Sequence, residues 1–231
     1  MTKIYWSYCD TALQVRANAP ISIMSNYFKD QDITENGLEY IRCPAFKDYF
    51  HNTFGIQSLF DYDINFDDYV HSTKYDQEFF EKMVEVRNEK SKFASFHQQY
   101  IFIAETDSLK MECLPSMLEN NSFNKTAILI PAVIDIGQYV RSIECAFHCR
   151  TNTMQIKEND IYSYVKFKTD DKIKFQRFLW TDAISQTIFD TVNGIKAYRK
   201  KTFKPLNWYY KKQQALKTKK RALKLIKENL L

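Results

Sequence analysis

Three groups of residues have the types and spacings from which chemistry is built. The first is Cys145-x-x-His148-Cys149, the one Cys/His cluster in the chain. On a strand, Cys145 and Cys149 share a face and His148 points the other way, whereas zinc needs four converging ligands, usually in two pairs. Cys113 is isolated and Cys9 and Cys43 are remote, so reduced, mostly buried thiols are expected. The second group, Asp61-x-Asp63-x-Asn65-x-Asp67, opens like a calcium loop. Its sixth and twelfth positions hold Phe66 and Ser72, where such a loop needs Gly and Glu. An alternating strand explains the same residues without metal. No metal and no cofactor is implied.

The third group is a basic tail. From position 196 to 231 there are thirteen Lys/Arg and one acid, Glu228, while the other 195 residues hold 20 basic and 27 acidic side chains. The overall net charge of +5 is therefore the sum of an acidic body and a strongly basic arm. Arg199, Lys200, Lys201 and Lys204 form one cluster. Lys211, Lys212, Lys217, Lys219, Lys220, Arg221, Lys224 and Lys227 form a second, and Trp208, Tyr209 and Tyr210 lie between them. From these clusters, Arg199, Lys200, Lys201, Lys204, Lys211, Lys212, Lys219, Lys220 and Arg221 are the candidate nucleic-acid or anion contacts. The same arm also fits docking on the acidic body of its own or a neighbouring chain, a membrane surface, or a solvated tail.

Several enzyme classes are excluded by pattern. Gly occurs four times, at positions 37, 55, 137 and 194, too sparsely for Gly-rich phosphate loops. There is no Gly-x-Ser-x-Gly. The four histidines, His51, His71, His97 and His148, form neither His-x-Asp nor His-x-x-x-His, so the facial triad of a jelly-roll iron oxygenase is missing. An enzyme would have to gather some of His51, His97, His148, Asp135, Glu144 and Arg141 into one pocket. Catalytic residues are not assigned.

The elements that must position these groups read as mainly β. Residues 60–67 alternate strictly and predict a half-buried strand. Residues 100–105 and 109–114 flank the turn residues Thr106, Asp107 and Ser108 and predict a hairpin. Residues 127–130 fit a buried strand ended by Pro131. Further strands are expected over 141–149, 154–156, 161–168 and 173–180, with turns at 159–160 and 169–171. Residues 76–87 fit a helix or a polar insertion. From Thr181, an N-cap candidate, Ile184, Ile188, Val192 and Ile195 recur at helical spacing. A last helix is expected from about Asn207, with Tyr209, Leu216, Leu223 and Leu230 every seven residues and Ile226 between them. The expected fold is α+β, mainly β: a β-sandwich or jelly-roll-like body over 1–180 and a helical basic C-terminal extension over 181–231.

Several segments resemble a group of proteins encoded by tailed bacteriophages, especially marine and cyanobacterial ones. They are Cys43 to Phe54 (CPAFKDYFHNTF) with Ser58 and Asp61, Ile128 to Pro131 with Asp135 to Gly137, Arg141 to Phe147, Ile156 to Phe167, and Leu223 to Leu231. That group has no assigned activity, so the resemblance transfers no catalytic residues. Its members have Lys-Gly-Asp before the Tyr-Val-Lys-Phe strand. Here Asn159 stands for the Gly and still tolerates a left-handed turn. The same segment, with Arg141-Ser142, resembles the dUTPase-type β fold in sandwich architecture only, because the Gly-rich nucleotide motifs are missing.

The expected function is a non-enzymatic, phage-encoded structural or protein-interaction protein, a virion component with other subunits as partners: no converging ligand set, phosphate loop or nucleophile context is found, and an acidic body with a basic helical arm suits docking between subunits. The alternatives are a nucleic-acid-binding phage regulator acting through the basic helices and an enzyme on a sandwich scaffold. The start of the chain lacks a signal-peptide core, and the longest apolar run, 127–136, is too short to span a bilayer. Virion or host cytoplasm is the expected location.

Overall fold

The computed structural model describes residues 1–28, 43–67, 70–71, 76–88, 90–96, 100–188 and 206–231. The strands, in chain order, are β1 (Thr2–Tyr8), β2 (Ile21–Ser22), β3 (Thr53–Gln57), β4 (Tyr62–Asn65), β5 (Val70–His71), β6 (Val84–Asn88), β7 (Phe93–Phe96), β8 (Tyr100–Ala104), β9 (Lys110–Pro115), β10 (Ala127–Leu129), β11 (Ala132–Asp135), β12 (Cys145–Cys149), β13 (Thr153–Ile156), β14 (Ile161–Phe167) and β15 (Ile173–Arg177). The helices are α1 (Ile23–Phe28), α2 (Pro44–Tyr49), α3 (Gln77–Met83), α4 (Ser122–Thr126), α5 (182–188), α6 (Leu206–Ala215) and α7 (Thr218–Glu228). The chain is α+β and mainly β, as expected, with its longer helices at the C-terminal end.

Among the described residues the strands form four sheets, ordered β15-β1-β8, β10-β12-β7-β6, β11-β9-β14-β3-β2 and β13-β4-β5. Pairing is antiparallel except between β1 and β15. All four sheets turn apolar faces onto one aromatic-rich core. It includes Ile4, Trp6, Tyr62, Phe96, Phe102, Phe147, Met154, Val165 and Phe167. Edge-on ring contacts such as Phe102–Phe167 at 5.8 Å and Phe60–Tyr62 at 6.2 Å fill it.

The reason for the layering lies in β1 and β8. Every residue of β8 is buried, and so is every residue of β1 except Lys3. Strands apolar on both faces need a cover on both faces. Ile4, Trp6 and Phe102 face the common core, while Tyr5, Ile101 and Ile103 face the opposite way. The second cover consists of Val140, Phe178, Trp180, Ile184 and Ile188 together with Ala222 and Ile226 of α7. A third cluster under α1 and α2 joins Ile23 and Phe50 to Ile161 and Tyr164.

Several expectations need correction. Strands form at 100–104 and 110–115, but not as a hairpin: β8 pairs with β1, while β9 pairs with β14 and β11. Burial on both faces commits β8 to one sheet, and the chain crosses to the next through bends at 105–108. The run 127–130 is a half-buried edge strand, with Ala127 and Leu129 buried and Ile128 and Ile130 exposed. Residues 76–87 divide into α3 and β6. The strand expected from Arg141 begins at Cys145. The single last helix is two helices, because Lys217 takes a left-handed conformation (φ 50°) between α6 and α7. That change of phase breaks the seven-residue stripe. Leu216 and Leu230 are exposed, and the buried positions are Gln213, Thr218, Ala222 and Ile226. Val192 and Ile195 lie outside the described residues.

Other details hold. Asn159 has φ 70° at the expected turn. Thr181 caps α5, its hydroxyl accepting from the Ile184 N–H at 3.4 Å.

Candidate functional site

The described part of the basic arm, residues 206–231, lies against the body, and specific polar contacts fix it there. Gln213 on α6 is buried and mimics a strand neighbour: its Nε2 donates to Val140 O (3.1 Å) and its Oε1 accepts from the Val140 N–H (2.9 Å). Arg141 Nη1 donates to the Tyr210 hydroxyl at 2.8 Å, and the Tyr210 ring lies 4.5 Å from that of Tyr139. Beyond α7, the Leu179 N–H donates to Asn229 O (2.8 Å) and the Leu231 N–H to Arg177 O (3.1 Å), so the last residues pair with the strand exit at Phe178.

Lys219 is the polar centre of this docking. Its side chain is 13% exposed. Its ammonium donates to Glu105 O (3.2 Å), Thr106 O (2.8 Å) and Asp107 Oδ1 (2.9 Å), and also to Gly137 O. Two bends meet there because Gly137 has no side chain: a Cβ would come within 2.5 Å of Leu109 N and 2.7 Å of Ser108 N. Beside this cage, Lys227 Nζ lies 2.6 Å from Glu105 Oε1, which also accepts from the Tyr5 hydroxyl (2.9 Å). Lys227 and then Tyr5 hold the Glu105 carboxyl below its ordinary value. Tyr5 in turn is pushed up to about 12, first by burial and then by that hydrogen bond.

A groove of about 770 Å³ runs between α7 and these bends. Lys217 at the N-cap of α7 and Lys219, Lys220, Lys224 and Lys227 on it line the groove together with Glu105, Asp107 and Gln214. Lys217, Lys220 and Lys224 make no ion pair among the described residues.

The nine candidate contacts therefore separate. Lys219 is removed from the set: it is an internal cation whose charge is spent on the body. Lys211, Lys220 and Arg221 are exposed. Lys212 sits 5.6 Å over the Trp208 ring. Arg199, Lys200, Lys201 and Lys204 lie outside the described residues. Lys217 and Lys224 were grouped with the basic tail but not among the candidate contacts, and only the groove distinguishes them.

The residues an enzyme would need are engaged separately. Asp135 Oδ1 accepts from the Gln138 N–H (2.9 Å), and Glu144 pairs with Arg87 (2.8 Å). His148 packs its ring 4.9 Å from Phe93, and His51 is exposed after α2. His97 lies outside the described residues. Cys145 and Cys149 share the buried face of β12, as their spacing predicts. The hydrogen bond between Cys145 and Cys113, with burial next, pushes the Cys145 thiol up, and burial pushes Cys149 up to about 12. Among the described residues no group of three or more His, Cys, Asp or Glu converges as a metal site. In the 61–67 run Asp61 accepts from the Glu158 N–H (2.7 Å), Asn65 from the Asp67 N–H (2.9 Å) and Asp67 from the Asn152 amide (2.6 Å).

A second surface is apolar. Residues 127–134, Ala-Ile-Leu-Ile-Pro-Ala-Val-Ile, hold no charge. They form β10 and β11, at the edges of two neighbouring sheets. Ile128, Ile130 and Val133 are 36%, 39% and 62% exposed. Edge strands are ordinarily blunted with charge, a bulge or Pro; here Pro131 breaks the run and no charge guards it.

No protein-family model matches the chain, and no curated protein matches it. Among the described residues no helix is long and apolar enough to cross a membrane.

Proposed function

We propose that this chain is a non-enzymatic, phage-encoded structural protein that assembles with other protein subunits as a virion component. One observation carries this reading: the uncharged, exposed run at the edges of β10 and β11. Ile128, Ile130 and Val133 are exposed there at two sheet edges that carry no charge from Ala127 to Ile134 and only Pro131 as a blunting residue, and a neighbouring chain can bury the three side chains. The resemblance to tailed-phage proteins supplies the setting, and the same run is one of the segments that carry it. The separate engagement of Asp135, Glu144, His148 and Arg141 supports a role without catalysis. The described part of the basic arm, first considered as a device for docking on neighbouring subunits, is seated on its own body and leaves the edge as the assembly surface.

Mass spectrometry of purified particles tests this. The chain should be abundant in them and survive a high-salt wash, since apolar contacts are not screened. Val133→Lys should be depleted from particles while the free protein stays folded. Absence of the wild-type chain from particles contradicts the reading, and so does normal incorporation of the Lys variant.

A further inference from the structure

The groove beside α7 has no role in the assembly reading, and its cations form a regular row. At about 1.5 Å rise per residue, Lys220 and Lys224 are about 6 Å apart along the helix axis, and Lys217 and Lys227 extend the row by roughly 4.5 Å at either end. All four line one groove. Neighbouring like charges on a helix face repel, so an exposed row of lysines lowers the helix's own stability unless a polyanion neutralises it. We propose that this groove binds the phosphodiester backbone of a single-stranded nucleic acid, with Lys217, Lys220 and Lys224 each meeting a phosphate.

The groove discriminates between kinds of anion. A row of point charges matches a linear polymer with one charge per unit, and Lys, unlike Arg, contacts phosphate as a point charge without a fixed fork. Glu105 and Asp107, which also line the groove, are already matched by Lys227 and Lys219 at 2.6 and 2.9 Å. They therefore do not cancel the row. Trp208, on the same helical hairpin, lies outside the groove with Lys212 5.6 Å over its ring, so binding rests on the lysine row alone. Lys219, which sequence alone ranks with its neighbours, takes no part in binding because its ammonium already serves four oxygens.

The proposal is independent of particle membership and is tested on the full chain with a fluorescein-labelled, mixed-sequence 20-nucleotide DNA strand, read by fluorescence anisotropy. Single strands give a slope of about −0.7 in log K against log salt for each phosphate neutralised. Three contacts predict a slope near −2, hence about 20-fold weaker binding between 50 and 200 mM salt. The double variant K220A/K224A should reduce the slope by about 1.4 with a melting temperature no lower than that of the wild type, since it relieves repulsion along the helix, whereas Lys211→Ala should change the slope little. Any of three results overturns the proposal: no salt-dependent binding, a slope unaffected by the double substitution, or a polyglutamate peptide that competes as well as unlabelled DNA of equal charge. The last would assign the groove to an acidic protein.

Discussion

Lys219 and Lys220 are adjacent, identical in type and equally basic, yet they have different work. Both line the groove, but the Lys219 ammonium is engaged by three main-chain carbonyls and a carboxylate, while Lys220 is exposed and makes no ion pair among the described residues. Of these acceptors only Gly137 is buried, and leaving one buried carbonyl without a donor costs about 1–3 kcal/mol. Lys219→Met should therefore lower the melting temperature by roughly 2–4 °C for each kcal/mol lost, and Lys220→Met should not lower it in the same thermal scan. The cysteines divide in a similar way. Cys43 is exposed, whereas Cys113, Cys145 and Cys149 are buried, with the last two held as thiols by their surroundings. Titration with an aromatic disulfide reagent should show Cys43 reacting at once and those three only after denaturant is added. The shared face of Cys145 and Cys149 was legible from strand alternation alone. The separation of Lys219 from Lys220 was not, because it depends on where two bends 30 residues apart in sequence come together.

At the scale of elements, local pattern located strands better than it located their partners. Tyr62 and Ile64 alternate with Asp63 and Asn65, and β4 forms there half-buried. β8 and β9 were also legible as strands, but a hairpin reading of them ignores that Ile101 and Ile103 need a cover as much as Tyr100 and Phe102 do. Pairing follows from that demand, which is settled by the distant α7. Within α7 the seven-residue recurrence of leucines misled, since one left-handed residue, Lys217, resets the helix phase. The buried Ala222 and Ile226 define the seated face instead. The Glu105–Lys227 contact contributes to this seat, and its pH dependence has a definite sign. The folded carboxyl titrates below its ordinary value of 4.5, so its contribution is complete above about pH 4.5 and is lost as pH falls through the lowered value. In melts from pH 7 to pH 3, wild type should exceed Glu105→Gln in stability at neutral pH, and the difference should close in acid.

Across the whole molecule, the charge asymmetry becomes a layering. An acidic body carries a basic helical hairpin on the outer face of β15-β1-β8, and cations the body does not match border the groove. The apolar edge of β10 and β11 is a separate surface formed by other sheets. The asymmetry itself was plain from thirteen basic residues against one acid in the last 36 positions. Whether the arm docks or extends was not, because Gln213, whose amide bonds Val140 at both ends, reads in sequence as one more polar residue among lysines.

Everything assigned to the groove depends on α7 being seated. Amide hydrogen exchange of the full chain tests this directly. If the hairpin is part of the folded body, amides over 222–229 exchange as slowly as those of β1 and β8, because Ile226 and the 178–230 pairing can open only with the sheet beneath them. If instead those amides exchange at the rate of an isolated helix while β1 and β8 stay protected, the arm is a tethered tail and the account fails.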